Sequence, residues 1–126
     1  EWNKKFEKLY LEIKEKTCQI SFYNEKDLQL AIEQMFIANE IPYEREVRLS
    51  NKDIIDFTVE LDVGKVGVEL KIDGARNALL RQINRYLSHD SIKALYVVGT
   101  PYWVNNIPIQ LNNKFIYRHR ILVGVF

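Results

Sequence analysis

Three side chains in one stretch have the types and spacing for phosphate chemistry. Asp56 lies thirteen positions before Glu69, and Lys71 follows two positions later. Carboxylates are hard oxygen ligands that suit Mg²⁺ or Mn²⁺. An ammonium beside them suits a phosphate, or the hydroxide that attacks it. Gathered on one surface, the three could hold a divalent cation and a phosphate. Whether they gather depends on the backbone that carries them.

That backbone reads as a hairpin. Ile55, Phe57, Val59 and Leu61 alternate with Asp56, Thr58 and Glu60. A turn follows at Asp62, Val63 and Gly64, and then Val66, Val68, Leu70 and Ile72 alternate with Gly67, Glu69 and Lys71. Period two over both runs predicts two antiparallel strands with one apolar face. The register then sets Asp56, Glu69 and Lys71 together on the other face. Such alternation also fits a half-exposed hairpin whose charged face is solvated, with Lys71 a salt-bridge partner of Glu69. The strands are short and β-rich, as central strands are. A covered carboxylate there is costly unless something charged binds it.

The rest of the chain must position this hairpin. Its 126 residues, 47% hydrophobic and 28% charged, suit one domain, 1–126, with a real core. The net charge of +1 gives no overall basic bias, so contact with nucleic acid requires a local patch. Cys18 is the only cysteine, which excludes an internal disulfide and a four-cysteine zinc or iron–sulfur site. It also points to an intracellular, cytoplasmic compartment. No run approaches transmembrane length and no signal peptide is visible, so no membrane partner is expected. The first residue is Glu1 rather than Met, as in a piece processed or excised from a longer protein.

Trp2, Phe6, Leu9, Tyr10 and Ile13 recur at helical spacing and predict a helix over 2–16, within an N-terminal helical extension, 1–20. A second helix is expected from Glu25 to about Asn39, with Asn24 as N-cap and Leu28, Ala31, Ile32 and Met35 as its buried face. Glu33 lies at the border of that face, either an edge residue or a carboxylate aimed at a site. Residues 43–49 read as a strand, with Tyr43, Arg45, Val47 and Leu49 on one side. Residues 75–87 read as a third helix with a stripe of Leu79, Leu80, Ile83 and Leu87. Gln82 and Tyr86, four apart, stack along its edge. Residues 91–99 predict a buried strand, 100–114 a loop with a short helical turn, and 115–126 a closing strand. The order is α-α-β-β-β-α-β-loop-β: an α/β fold with a mixed central sheet of about five strands and helices on both faces.

Asp56, Glu69-Leu70-Lys71 and the order of elements from Glu25 to Val98 resemble the PD-(D/E)xK nuclease core, the restriction-endonuclease-like fold with its αβββαβ core. Ile55, not proline, precedes Asp56. The run from Gln82 to Tyr86, QINRY, resembles the QxxxY motif of the RecB-type and lambda-exonuclease-type branch, on the helix after the ExK strand. The resemblance implies a metal-dependent deoxyribonuclease acting at ends or flaps. It makes Asp56, Glu69, the Leu70 backbone carbonyl and a helical glutamate the ligands of Mg²⁺ or Mn²⁺; Glu33 resembles that glutamate, with Glu25 and Glu40 competing for the role. Lys71 would favour hydroxide and offset the phosphorane, while Gln82 and Tyr86 would position the water or contact the phosphate or terminal base.

Arg76, Arg81 and Arg85 could track a DNA backbone. Tyr102 and Trp103 could stack on bases or anchor their loop. His89 and His119 match no metal spacing. Two other functions remain open: a catalytically inactive nucleic-acid-binding or scaffold module on the same fold, and a structural sandwich with a solvated charged face.

Overall fold

The computed structural model describes residues 4–17 and 22–121. The expectations for Trp2, Cys18 and residues 122–126 lie outside them. Among the described residues three α-helices, α1 (Lys4–Thr17), α2 (Glu25–Ala38) and α3 (Arg76–Leu87), accompany one six-stranded sheet. The strands are β1 (Tyr43–Arg48), β2 (Ile54–Leu61), β3 (Gly64–Lys71), β4 (Ile92–Gly99), β5 (Gln110–Leu111) and β6 (Lys114–Arg120). Their spatial order is β1-β2-β3-β4-β6-β5. β3, β4 and β6 run parallel, and the remaining pairs are antiparallel, so the sheet is mixed.

Local chemistry sets these elements. Asn24 caps α2 by accepting the Asp27 N–H at 2.8 Å, with Glu25 and Asp27 in the first turn. The β2–β3 hairpin closes across Asp62 and Val63, with Leu61 opposite Gly64 and Gly64 at φ 138°. Alternation along β3, β4 and β6 then feeds two cores. On one face Phe6, Leu9 and Ile13 of α1 and Leu28, Ile32 and Phe36 of α2 pack on Val68, Leu70, Tyr96 and Val98. On the other, Leu79, Ile83, Tyr86 and Leu87 of α3 pack on Leu95, Val97 and Ile116. The hairpin is therefore interior to the sheet and covered on both faces.

Two features depart from the sequence reading. Ile55 does not share a face with Phe57 and Val59: it packs with α3, while they pack with α1 and α2. β1 changes face at the same level, with Tyr43 against the α1/α2 core but Val47 and Leu49 against the α3 core. The cause is one irregular rung. Glu46 adopts φ 52°, and the β1–β2 ladder passes from Arg45↔Phe57 to Val47↔Ile55 without pairing Glu46 and Asp56. Ile55 finds room on the α3 face because Gly67 has no side chain; a Cβ there would meet Ile55 Cδ1 at 2.2 Å.

The second departure lies in 100–114: the expected short helical turn is present as a 3₁₀ helix (Tyr102–Asn106), but the short β5 stands where loop was expected and brings the strands to six among the described residues. Asn112 and Asn113, both at positive φ, make the tight turn from β5 into β6.

Candidate active site

Asp56 and Glu69 meet where the hairpin opens. β2 and β3 pair as Val59↔Val66, Thr58↔Gly67 and Phe57↔Val68. One rung further that register sets Asp56 opposite Glu69, and there the carboxylates replace the ladder. Leu70 N–H donates to Asp56 Oδ2 at 2.7 Å, and Asp56 N–H donates to Glu69 Oε1 at 3.4 Å. Gln29 of α2 donates to Asp56 Oδ1 at 3.3 Å. Lys71 Nζ lies 3.6 Å from Glu69 Oε2. Glu69 is only 3% exposed, which a charged group tolerates poorly without compensation.

Burial pushes both carboxyl groups well above the usual carboxylate range. At Asp56 the Leu70 N–H opposes the rise, Glu25 adds to it and Lys71 opposes it. At Glu69 the Asp56 charge adds to burial, and Lys71 again opposes. One ammonium does not balance two crowded carboxylates, so a proton or a cation is favoured between them.

The donor set fits a hard divalent ion. Among the described residues no three histidine, cysteine or carboxylate groups converge. Two carboxylates suffice for an ion such as Mg²⁺, which keeps several waters. In an extended strand a residue's N–H and C=O point to the same side. The Leu70 carbonyl is therefore directed to the same edge of β3 as the N–H that holds Asp56.

The other expected site residues divide. Glu33 is not turned to the opened rung: Arg45 donates to its Oε1 at 3.0 Å and Tyr43 to its Oε2 at 2.7 Å. Both partners come from β1, which runs beneath α2. The helical carboxylate whose charge acts on both Asp56 and Glu69 is Glu25, one turn before Gln29. Gln29 was missed, and Glu25 was weighed only as a competitor of Glu33, although Glu25, Gln29 and Glu33 follow one another at four-residue spacing on one stripe of α2.

Gln82 and Tyr86 do lie on the helix over the α3 face, but they bond to each other. Gln82 Nε2 donates to the Tyr86 hydroxyl at 2.7 Å, which donates to the Ile54 carbonyl at 2.9 Å. Tyr86 is wholly buried and belongs to the core of α3, not to its edge. Gln82 and Lys71 share the wall of a cleft of about 60 Å³ with Asp73, Ala78 and Trp103, room for a few waters.

Of the three arginines, Arg81 is exposed, and Arg76 donates to the Asn106 carbonyl at 3.0 Å. Arg85 has a partner within the fold: its Nε is 2.7 Å from Asp53 Oδ1, and it holds that buried carboxyl below its usual range. His89 Nε2 is 3.4 Å from the other Asp53 oxygen. Trp103 is buried in the α3 core, whereas Tyr102 is exposed.

Comparison with protein-family models, with curated proteins and with solved structures gave no match. The functional reading rests on the geometry of the opened rung. No helix among the described residues is long and apolar enough to cross a membrane.

Proposed function

We propose that the chain is a metal-dependent DNA nuclease of the restriction-endonuclease-like type. The observation that carries this reading is the pair Asp56 and Glu69, set against each other across an opened rung with Lys71 beside them. The element order α2-β1-β2-β3-α3-β4 agrees with that fold's αβββαβ core. Asp56, Glu69 and the Leu70 carbonyl would hold Mg²⁺ or Mn²⁺. When bound, such an ion acidifies a water and neutralises the scissile phosphate.

The chain's own groups do the rest. Leu70 N–H and Gln29 fix the Asp56 carboxylate, so its oxygens are preset rather than mobile. Lys71 brings a positive charge within 4 Å of Glu69, where it favours an approaching hydroxide and offsets charge developing on the phosphorus oxygens. The water-sized cleft at Lys71 and Gln82 gives that hydroxide a place. A preference for ends or flaps rests on the Gln82 and Tyr86 resemblance, and comparing linear with closed-circular DNA tests it separately.

The deciding experiment is cleavage of several DNA forms with Mn²⁺ or Mg²⁺. The wild type should cut, and Glu69→Ala and Lys71→Ala should each abolish cutting while remaining folded. Full activity in either variant, purified free of contaminating nuclease, overturns the assignment. DNA binding without cleavage in either metal would identify the inactive module instead.

A further inference from the structure

β3, β4 and β6 are parallel and end at one edge of the sheet, the edge where open α/β sheets place their ligands. Register runs straight across them. Glu69 pairs with Val97 and Val97 with Arg118; Lys71 pairs with Gly99 and Gly99 with Arg120. Alternation puts Lys71, Gly99 and Arg120 on the α3 face. Lys71 and Arg120 are two strands apart, about 10 Å between backbones. Gly99 leaves the rung between them bare: a Cβ there would meet the Lys71 carbonyl oxygen at 2.3 Å.

Arg120 is held in place. Its Nε donates to the Thr100 carbonyl at 3.1 Å. Thr100 is itself tied to β3 and the residue after it, N–H to Lys71 O at 3.0 Å and Oγ1 to Ile72 O at 2.6 Å. The two terminal nitrogens of the Arg120 guanidinium have no hydrogen-bond partner among the described residues.

Two further arginines converge on the following segment. Arg118 donates to the Asn105 and Ile107 carbonyls at 2.8 and 2.9 Å, and Arg76 to the Asn106 carbonyl at 3.0 Å. Residues 100–107 contain no acidic side chain. None of the three arginines pairs with a carboxylate among the described residues. On this pinned segment Tyr102 stands 74% exposed, while its neighbour Trp103 is buried.

We propose that this edge is a binding surface for single-stranded nucleic acid, continuous with the Asp56–Glu69 site. Arg120 takes a backbone phosphate on the same rung as Lys71, and Tyr102 stacks on an unpaired base. Basic groups supply the phosphate contacts, and an exposed aromatic ring selects an unstacked base, which a duplex does not offer. The inference rests on the nuclease reading for the direction of the strand but not for its binding.

The test is fluorescence polarisation of a labelled oligothymidylate in EDTA, over a salt series, with the full chain. Arg120→Gln should weaken binding and reduce the salt slope by about 0.7. Tyr102→Ala should weaken it roughly tenfold or more, with no such loss on a duplex. Lys93→Gln makes the same charge change at the opposite end of β4 and should leave affinity intact. Tyr102 is exposed and Arg120 half-buried, and melting temperatures within a degree of wild type confirm the folds. If Arg120→Gln and Tyr102→Ala bind like wild type while Glu69→Ala still abolishes Mn²⁺-dependent cleavage, this surface is refuted and the nuclease stands. If both weaken binding but no metal supports cleavage, the surface stands and the nuclease falls. No binding by the wild type overturns this surface outright.

Discussion

Glu69 shows how far burial takes a side chain from its preferred state. It is buried beside a second carboxylate, with one ammonium 3.6 Å away. Asp56 and Glu69 both bind protons more tightly folded than unfolded. Above the ordinary carboxylate range the folded state therefore holds more protons than the unfolded one. Stability from these groups is fully present below that range and is lost as pH rises through their raised folded values. In metal-free protein, Glu69→Gln should raise the melting temperature by several degrees at pH 8 and flatten its dependence on pH. Melting curves in EDTA from pH 5 to 9 check this, and parallel curves for the two proteins would contradict it. Asp53, shifted the other way by Arg85, is common to both and cancels. The meeting of Asp56, Glu69 and Lys71 was legible because a tight hairpin fixes register. The role of Glu33 was not, because its partners Tyr43 and Arg45 arrive through tertiary packing of β1.

Among the elements, α3 braces the start of the strand that carries Asp56. Tyr86 bonds the Ile54 carbonyl, and Arg85 and His89 hold Asp53, so the helix grips the chain just before Asp56. Tyr86→Phe would leave the Ile54 carbonyl and the Gln82 amide without their partner. The expected cost is about 1–2 kcal/mol, read as a fall of several degrees in melting temperature. An unchanged melting temperature with reduced turnover would instead return that hydroxyl to the reacting groups. Burial of Tyr86 was available in the sequence: positions 79, 83, 86 and 87 form one helical stripe. The change of face in β1 and β2 was not available. Strict alternation cannot anticipate a glutamate at positive φ, and only Gly67 hints at a close approach. The sixth strand did leave a trace, the Asn112-Asn113 turn, which a short β5 made easy to read as loop.

At the scale of the whole molecule, β3 and β4 are paired on both edges and covered on both faces, while β1 and β5 are the sheet edges. Stability should be graded accordingly. Native-state hydrogen exchange should find the β3 and β4 amides opening only with global unfolding and those of β5 much sooner. Equal protection across the sheet would show that the two cores do not share the central strands as described. The general α/β class and the hairpin's interior place followed from element order, because an antiparallel run followed by a helical crossover leaves few arrangements. The same arrangement leads us to expect an order of assembly. β2 and β3 join across a two-residue turn, whereas β3 reaches β4 only after the chain has passed through α3. Local pairings close early and crossovers late. On that order Asp56 and Glu69 would come together while still in contact with water and be roofed over afterwards, so the last step of folding would also be the step that encloses a proton, or a bound ion, between them.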